Sequence, residues 1–226
     1  MSSSVELSIR PAQFADLDAI CTIYNHYVLY SLATFAETPL SLETFHSKYQ
    51  SLHTSNLPFL VATRKIEGSE TILGFTYAAP YAERSGYRYT LETTIYLAPG
   101  NSRQGIGSAL LRALIQACEQ NGPWRTLVAI IGDTPGPAGD EQNSSNRASI
   151  ALHERHGFVQ SGRLKNLGWK LDQWVDCVYM QRFLVPAKRE IGDPLERAGR
   201  LGLADRRRDA CLGGGRMRAT LLHATC

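Results

Sequence analysis

The sequence predicts a mixed α/β layer fold, and three observations support this prediction. Short segments rich in β-branched and aromatic residues alternate with segments in which apolar residues recur at helical spacing. Clusters of Gly, Pro, Asn and Ser, which are typical of turns, separate these segments. The length of 226 residues with 43% apolar content suffices for one well-buried domain and is too short for two large ones.

The first half of the chain opens with a strand and two amphipathic helices. Apolar residues at helical spacing predict the first of these helices, and Asp16 stands where its N-cap is expected. Two β-rich segments then flank a turn near Gly68, which predicts a hairpin. The predicted elements of this half are a strand at 7–11, helices at 16–28 and 42–53, and strands at 58–63, 71–79 and 89–97.

The second half alternates helices with strands. Its predicted elements are a helix at 105–120, a strand at 126–131, a helix at 146–156, and strands at 158–165 and 174–183. The segment 132–145 is rich in Gly, Pro, Asp and Ser and too long for a plain connection, so we expect a mobile or functional loop. The order of elements is therefore β-α-α-β-β-β-α-β-α-β-β, a mixed α/β arrangement.

Helical and strand periodicity ends near residue 184, which predicts a domain at 1–184 and a tail at 185–226. The domain carries 15 Lys and Arg against 16 Asp and Glu, whereas the tail carries 9 against 5. The Arg- and Gly-rich tail has few aromatic residues and cannot bury enough surface to order itself, so we expect it to be disordered. A contact of the tail with RNA or a partner stays open, but nothing in the domain indicates a nucleic-acid-binding face.

The composition argues against several classes of protein. No segment approaches the ~20 apolar residues of a membrane span, and the N-terminus lacks an apolar signal core, so we expect a soluble, cytoplasmic protein with no membrane partner. The five cysteines lack C-x-x-C spacing, which argues against a disulfide framework and a zinc site; we expect Cys21, Cys118 and Cys177 to be buried free thiols. Because His26 and His46 lack a partner pattern, we assign no metal.

The turn at 102–108 joins a predicted strand to a predicted helix. Successive N–H groups of such a turn converge on one point at the positive end of the helix dipole, and Gly105 and Gly107 let a phosphate approach the backbone. There is no Gly-Lys-Ser/Thr, and Leu110 stands where a dinucleotide fingerprint has its third glycine, so neither of those nucleotide sites is indicated. We predict an anion site, with a tight turn made for close helix packing as the alternative.

The motifs around this turn resemble those of the GNAT superfamily of N-acetyltransferases. The superfamily pattern R/Q-x-x-G-x-G/A, which binds the pyrophosphate of acetyl-CoA, corresponds to 102–107, with Ser102 in place of Arg or Gln; we expect this difference to weaken one contact. The segment Asn146-Arg-Ala-Ser-Ile-Ala-Leu-His-Glu-Arg-His-Gly-Phe158 corresponds to the helix beside the pantetheine arm. The resemblance implies the GNAT fold, a central, mixed, mostly antiparallel twisted sheet with helices on both faces.

A closer resemblance, across 7–184, is to the phosphinothricin and methionine sulfoximine N-acetyltransferases. It is carried by the segments 9–12, 23–28, 33–35, 77–80, 86–92, 94–97 and 148–154. It implies acetyl-CoA as cosubstrate, a small-molecule amine acceptor and a homodimer. The family often has a basic residue two positions before Arg84, whereas this chain has Ala82, which argues against assuming phosphinothricin as the natural acceptor.

Two residues are predicted to be catalytic, Glu92 and His153. A base must take a proton from an ammonium whose ordinary pKa lies well above 7, and Glu92 stands just before the turn, where the family has its catalytic glutamate. A solvent-facing glutamate at the sheet edge is the alternative. On a helix, His153 shares a face with Asn146 and Ser149, which would set it over the thioester sulfur as an acid or a polarising group. A surface histidine is the alternative, and Asn146 is also a favoured N-cap.

The resemblance assigns further residues to the two substrates. The predicted cofactor-binding residues are Ile95, Tyr96, Leu97, Arg103, Gln104, Gly105, Ile106, Gly107, Ser108, Asn146 and Ser149. Arg84 and Arg88 are predicted to hold the carboxylate of an amino-acid acceptor beside Tyr87 and Phe35, although isolated arginines are usually solvated.

Two aromatic groups are assigned to packing. The residues Tyr24, Tyr27, Tyr30 and Phe35 are expected in the core and the pocket wall, and Trp169 and Trp174 are expected to pack on either side of a turn.

Three functions remain open from the sequence. The leading hypothesis is acetyl transfer to a small amino-acid-like amine, with a backbone N–H near Leu97 stabilising the oxyanion. The second is acetylation of protein or peptide amines. The third is a non-catalytic CoA-binding or interaction module, against which the presence of both Glu92 and His153 argues.

Overall fold

The protein was analysed as a computed structural model, which describes residues 7–66, 69–134 and 141–184, the last with the backbone alone at 141–145. The predicted turn near Gly68 and the predicted tail at 185–226 lie outside the described residues. The elements are β1 Leu7–Pro11, α1 Leu17–Tyr30, α2 Leu42–Thr54, β2 Phe59–Ile66, β3 Ser69–Pro80, β4 Thr90–Leu97, α3 Ile106–Gln120, β5 Thr126–Asp133, α4 Glu141–Arg155, β6 Val159–Lys170 and β7 Gln173–Phe183. This order is the one predicted.

The strands form one seven-stranded sheet in the order β1-β2-β3-β4-β5-β7-β6. Every neighbouring pair is antiparallel except β4 with β5, which run parallel. The prediction of a mixed, mostly antiparallel sheet is therefore confirmed.

The parallel pair β4 and β5 is joined over a short distance. Only Thr90, Leu91 and Glu92 pair with β5, and the rest of β4 continues without a partner strand on that side. Backbone N–H and C=O groups left unpaired in this way need other partners. The sheet thus opens into a cleft immediately after Glu92.

Helices cover both faces of the sheet, and β4 directs side chains to each of them. On one face Tyr24 of α1 contacts Phe45 of α2 and Tyr96 of β4. On the other face Ile106 and Leu110 of α3 pack with Ala62, Ile95 and Leu97. Because side chains alternate along a strand, Glu92 and Tyr96 lie on the face of α1 and α2, whereas Ile95 and Leu97 lie on that of α3.

Asp16 does not cap α1, contrary to the sequence prediction. Its carboxylate accepts hydrogen bonds from the Arg10 guanidinium at 2.7 and 2.9 Å and from the Gln13 N–H at 2.7 Å. Both carboxylate oxygens are engaged before α1 begins, since Asp16 closes the short 3₁₀ turn Phe14–Asp16. The residue therefore ties β1 to this turn.

The start of α4 was also predicted wrongly. The helix begins at Glu141, and β5 extends to Asp133, so the predicted loop 132–145 is shorter at both ends. Asn146 is an interior helical residue rather than an N-cap. Its side chain is buried against the cleft.

The remaining expectations concern membranes and thiols. None of the helices in the described part of the chain is long and apolar enough to cross a membrane. Cys118 and Cys177 are buried free thiols, as predicted, while Cys21 is a free thiol that is half-buried.

Candidate active site

The cleft between β4 and β5 holds a cavity of about 1270 Å³. This exceeds the ~300–1,000 Å³ of ordinary small-molecule sites, so it has room for an elongated ligand and a second substrate. We distinguish two sides of it. The turn side consists of residues 102–108, and the Glu92 side consists of Tyr77, Glu92 and the loop 31–36 that follows α1.

On the turn side the backbone forms a cradle of N–H groups. Arg103 and Gly105 have φ values of +61° and +79°, in the left-handed region, and the turn leads directly into α3. The first α-helical hydrogen bond joins the Ala109 N–H to the Gly105 carbonyl at 3.0 Å, so the preceding N–H groups have no partner within the helix. A group of free donors at the positive end of a helix dipole suits a phosphate.

Close packing of α3 and α4 explains the second glycine of the turn. A Cβ at Gly107 would stand 3.3 Å from the Leu152 side chain of α4. The same turn therefore combines the anion cradle with the close helix packing that was considered as its alternative.

Nine of the eleven predicted cofactor-binding residues line the cavity. They are Ile95, Tyr96, Leu97, Arg103, Gly105, Gly107, Ser108, Asn146 and Ser149. The side chains of the other two lie elsewhere. The Gln104 amide donates to the Gly100 carbonyl at 3.3 Å and accepts from Arg64, and Ile106 is buried in the α3 core.

A hydrogen bond connects the turn to the end of α4. The Ser108 Oγ lies 2.8 Å from the His156 Nε2. Burial lowers the pKa of His156, and the neighbouring Arg112, Arg182 and Arg155 lower it further. Arg155 itself lines the cavity. The sequence predicted no role for either residue, although both belong to the motif 146–158.

Asn146 has a buried amide donor without a partner in the described part of the chain. Its side chain is 3% exposed, and its Nδ2 has no hydrogen-bond partner within the described parts of the chain. A buried amide donor without a partner is unusual in a native protein. Because Asn146 lines the cavity, an acceptor atom of a bound ligand would satisfy this donor.

Glu92 lies where the sheet opens, beside Ala79 of β3 and Val128 of β5. Its half-buried carboxylate lines the cavity and receives no hydrogen bond from the described residues. Burial raises the pKa of Glu92, and the Lys48 ammonium of α2 partly opposes this rise. The carboxylate is thus partly shielded from water on a central strand rather than facing solvent at the sheet edge, and its role as the base stays a prediction.

His153 is buried rather than on the surface, with 2% of its area exposed. Its Nδ1 lies 2.8 Å from the Ser149 carbonyl oxygen, and since a carbonyl only accepts, Nδ1 carries the proton. Burial lowers the pKa of His153 below its ordinary value. The lowered pKa favours the neutral ring with Nε2 as an acceptor, and thus a polarising role over that of an acid.

The end of β4 presents a backbone donor to the cleft. The Ala98 N–H donates to the Leu73 carbonyl of β3 at 2.8 Å. Because neighbouring residues of a strand direct their backbone groups to opposite sides, the Leu97 N–H points toward the cleft. The Leu97 carbonyl accepts a hydrogen bond from the Tyr27 hydroxyl at 2.8 Å, consistent with this direction.

Of the four predicted acceptor residues, Phe35 alone lines the cavity. Arg84, Tyr87 and Arg88 are exposed on the connection between β3 and β4, at the 3₁₀ turn Ser85–Tyr87. The Arg88 guanidinium donates to the Ser85 carbonyl at 3.0 Å and lies over the Tyr89 ring. These local partners keep Arg88 at the surface.

The aromatic residues divide between the cavity and the surface. Tyr24, Tyr27 and Phe35 line the cavity as predicted, whereas Tyr30 is 64% exposed and belongs to neither the core nor the wall. Tyr77 was quoted only as part of a motif, yet it lines the cavity and its hydroxyl accepts a hydrogen bond from the Lys48 ammonium at 3.1 Å.

The predicted tryptophan pair is present but exposed. Trp169 and Trp174 face each other across the β6–β7 hairpin with ring centroids 5.3 Å apart, and more than half of each side chain is exposed.

Within the described ranges no group of three or more His, Cys, Asp and Glu side chains could hold a metal ion.

Comparisons with known proteins identify the family. A family model described as "Acetyltransferase (GNAT) domain" matches residues 9–179. The chain is 42% identical to a phosphinothricin N-acetyltransferase of Alcaligenes faecalis, over 77% of this chain and 81% of that protein. It is 33% identical to an L-methionine sulfoximine/L-methionine sulfone acetyltransferase of Pseudomonas paraeruginosa, over 80% of this chain and 96% of that protein.

A solved structure shares the fold and has a ligand. It is a GNAT superfamily phosphinothricin acetyltransferase from Sinorhizobium meliloti in complex with acetyl-CoA, 33% identical with a TM-score of 0.68. The match covers 79% of this chain and 88% of that one.

Proposed function

Because the chain belongs to the GNAT acetyltransferase family and is an acetyl-CoA-dependent N-acetyltransferase, we propose that it acetylates the amino group of a small amino-acid-like acceptor. The acceptor class is that of methionine sulfoximine and phosphinothricin or a related amino acid. One observation carries this proposal: the desolvated Glu92 carboxylate opens into the same cleft as the N–H cradle of residues 102–108.

The turn side is proposed to bind acetyl-CoA. The free N–H groups at the start of α3 would hold the pyrophosphate, while Arg103 and Arg155 add positive charge beside it. Asn146 would donate its unpaired Nδ2 hydrogen bond to the pantetheine arm, and Ser149 lies one helical turn further along the same wall.

Glu92 is proposed to act as the general base. It takes a proton from the acceptor ammonium, directly or through a water, so that the nitrogen lone pair can attack the thioester carbonyl carbon. The Leu97 N–H stabilises the negative oxygen of the tetrahedral intermediate. When the intermediate collapses, the C–S bond breaks and CoA leaves as a thiolate, which takes up the second proton of the attacking nitrogen to give the neutral amide and the CoA thiol. His153 is proposed to polarise the site around the sulfur.

The Glu92 side is proposed to receive the acceptor. Phe35, Tyr27 and Tyr77 give it an apolar wall that fits an aliphatic side chain. Arg84 and Arg88 stay predictions for the acceptor carboxylate, because neither lines the cavity of this chain.

A homodimer and a cytoplasmic location also stay proposals. The β6–β7 hairpin exposes several large apolar side chains, namely Leu164, Leu167, Trp169, Leu171 and Trp174. A contiguous exposed apolar surface marks an interaction site. Light scattering of the purified chain would test the dimer, and a monomer at micromolar concentration would contradict it.

The proposed function is tested by thiol release from acetyl-CoA with a panel of acceptors. The panel contains methionine sulfoximine, methionine sulfone, phosphinothricin, free amino acids, polyamines and an unblocked peptide. We expect the first three or an amino acid to give the highest kcat/KM. Turnover of the peptide alone would favour the protein-amine function. If no acceptor stimulates thiol release while acetyl-CoA still raises the Tm, the chain is a CoA-binding module.

The base assignment is tested by Glu92→Gln, with Glu43→Gln on the exposed start of α2 as the matched control. Loss of a general base lowers kcat by about 10²–10⁴-fold. We expect a loss in this range for Glu92→Gln with unchanged acetyl-CoA binding, and full activity for Glu43→Gln. Full activity of Glu92→Gln at neutral pH would refute the assignment.

A further inference from the structure

The loop 31–36, which forms a wall of the Glu92 side, rests on the end of strand β6. The Phe35 ring lies directly on the backbone of Gly168, so closely that a Cβ at position 168 would overlap three ring atoms. Phe35 is 40% exposed and lines the cavity. The Phe35 ring can occupy this position only because residue 168 has no side chain.

Two residues further along β6, Lys170 reaches the backbone of the same loop. Its ammonium donates hydrogen bonds to the Thr34 carbonyl at 2.7 Å and to the Tyr27 carbonyl at 3.2 Å. Lys170 is only 2% exposed. Burial of an ammonium is unfavourable unless hydrogen bonds compensate for the lost water, and here both compensating acceptors belong to α1 and the loop.

The other contacts of the loop leave Phe35 unrestrained. The Tyr96 hydroxyl donates to the Ala33 carbonyl at 3.1 Å, and the Tyr24 and Thr34 hydroxyls lie 3.0 Å apart. Both contacts fix the inner part of the loop against α1 and β4. Neither involves the Phe35 ring, which lies against Gly168 of β6.

We propose that Gly168 and Lys170 of β6 are specificity-determining positioning residues, which hold Phe35 and the loop 31–36 against the cleft and so set the size of acceptor that the enzyme takes. Neither residue lines the cavity. Both residues act through the loop. Because Gly168 has no side chain, the Phe35 ring can lie against its backbone, and Lys170 holds the loop through the Thr34 carbonyl, one residue before Phe35. The inference rests on the proposed function, because it takes the Glu92 side as the acceptor site.

The test is a double-mutant cycle between Gly168→Ala and Phe35→Ala, with methionine sulfoximine or the best acceptor of the panel. Gly162→Ala on the same strand is the matched control, since a Cβ at Gly162 meets nothing within 4 Å. We expect Gly168→Ala to raise the acceptor KM roughly tenfold, the scale of a methylene-sized change in a pocket. The acetyl-CoA KM and the Tm should stay unchanged, and Gly162→Ala should behave as wild type.

The coupling between the two positions decides the outcome. Once Phe35→Ala has removed the ring, Gly168→Ala has nothing to displace, so we expect it to have no further effect on the acceptor KM. Effects that multiply independently, or an equal rise in the KM of both substrates, would overturn the inference.

Lys170 is tested in the same way by Lys170→Met, with Lys165→Met at an exposed position of β6 as the control. We expect a severalfold rise of the acceptor KM at an unchanged acetyl-CoA KM. Lys170→Arg keeps the charge and can donate to both carbonyls, so it should keep the wild-type acceptor KM. If Lys170→Met yields too little folded protein, Lys170→Gln, which has no charge and a shorter side chain, replaces it. A wild-type acceptor KM in a folded Lys170→Met or Lys170→Gln would refute this part.

The inference and the proposed function fail in different ways. If wild type turns over no acceptor, the proposed function is wrong. If wild type is active and Gly168→Ala behaves like Gly162→Ala, the acceptor site stands and the role of β6 is refuted.

Discussion

The turn side and the Glu92 side of the cleft are built from different materials. The turn side is a single contiguous segment, 102–108, whose functional groups are backbone N–H donors. The Glu92 side is assembled from side chains of β3, β4, α2 and the loop after α1, and β6 supports that loop. A site made of backbone depends on local conformation, whereas a site made of distant side chains depends on packing. Mutations on the two sides should therefore act in different ways.

Among the substitutions that compare the two sides, the largest effect is expected for Gly105→Val on the turn side. Gly105 has φ = +79°, and a left-handed conformation costs a residue with a Cβ about 1–2 kcal/mol. A valine would either strain the turn or move its N–H groups away from the anion. We expect the acetyl-CoA KM to rise by about 5- to 30-fold, since every ~1.4 kcal/mol corresponds to a factor of ten.

Steady-state kinetics at saturating acceptor measure this change, with circular dichroism as the check on folding. Gly86→Ala is a suitable control, because a Cβ there meets nothing within 4 Å and Gly86 has no positive φ. A Gly105→Val enzyme with a wild-type acetyl-CoA KM would break the distinction between the two sides.

On the Glu92 side, an intermediate effect is expected from Lys48→Met in the pH profile. Glu92 must be ionised to act as a base, so kcat/KM rises with pH through its pKa, which burial raises and Lys48 lowers. Removing the ammonium raises this pKa further. The acid limb of the profile should therefore move to higher pH, while the rate on the alkaline side of that limb stays unchanged.

Lys48→Arg keeps the charge and should restore the acid limb toward its wild-type position. Lys65→Met, at an exposed position of β2, controls for a general loss of positive charge. An acid limb that does not move in Lys48→Met would show that α2 has no electrostatic influence on the base.

The smallest effect is expected for Ser102→Arg, which introduces the residue that the family has at the start of the turn. The side chain at 102 is exposed, and exposed charge pairs contribute about 0.2–1 kcal/mol. We expect the acetyl-CoA KM to fall by about twofold at low salt, and the gain should vanish at high salt. A gain larger than about tenfold would mean that side chains, rather than the backbone, dominate the turn side.

The sequence predicted the turn side well because its signals are local. A strand, two glycines and an amphipathic helix follow one another between 89 and 120, and the structure reproduces all of them within one or two residues. The face shared by Asn146, Ser149 and His153 also follows from helical spacing alone, so it was correct even though the start of α4 was placed five residues too late.

The sequence predicted the Glu92 side less well because its members are far apart in the chain. Tyr77 and Lys48 meet through a hydrogen bond between β3 and α2, and no local pattern marks either residue as a partner of the other. Arg84 and Arg88 were chosen for their chemistry, but local partners on a short turn hold Arg88 at the surface and neither residue lines the cavity.

The sequence by itself predicted the class of fold and the order of its elements, because these depend on periodicity. It also predicted an anion site at the turn and Glu92 as the base, because neighbouring motifs in the chain resemble those of the family. Only the tertiary structure decided where the sheet opens, how deeply His153 is buried and which strand supports Phe35. Those features arise from contacts between residues separated by as much as 143 positions, as between Lys170 and Tyr27. Contacts of this range depend on how whole elements pack, which local periodicity does not encode.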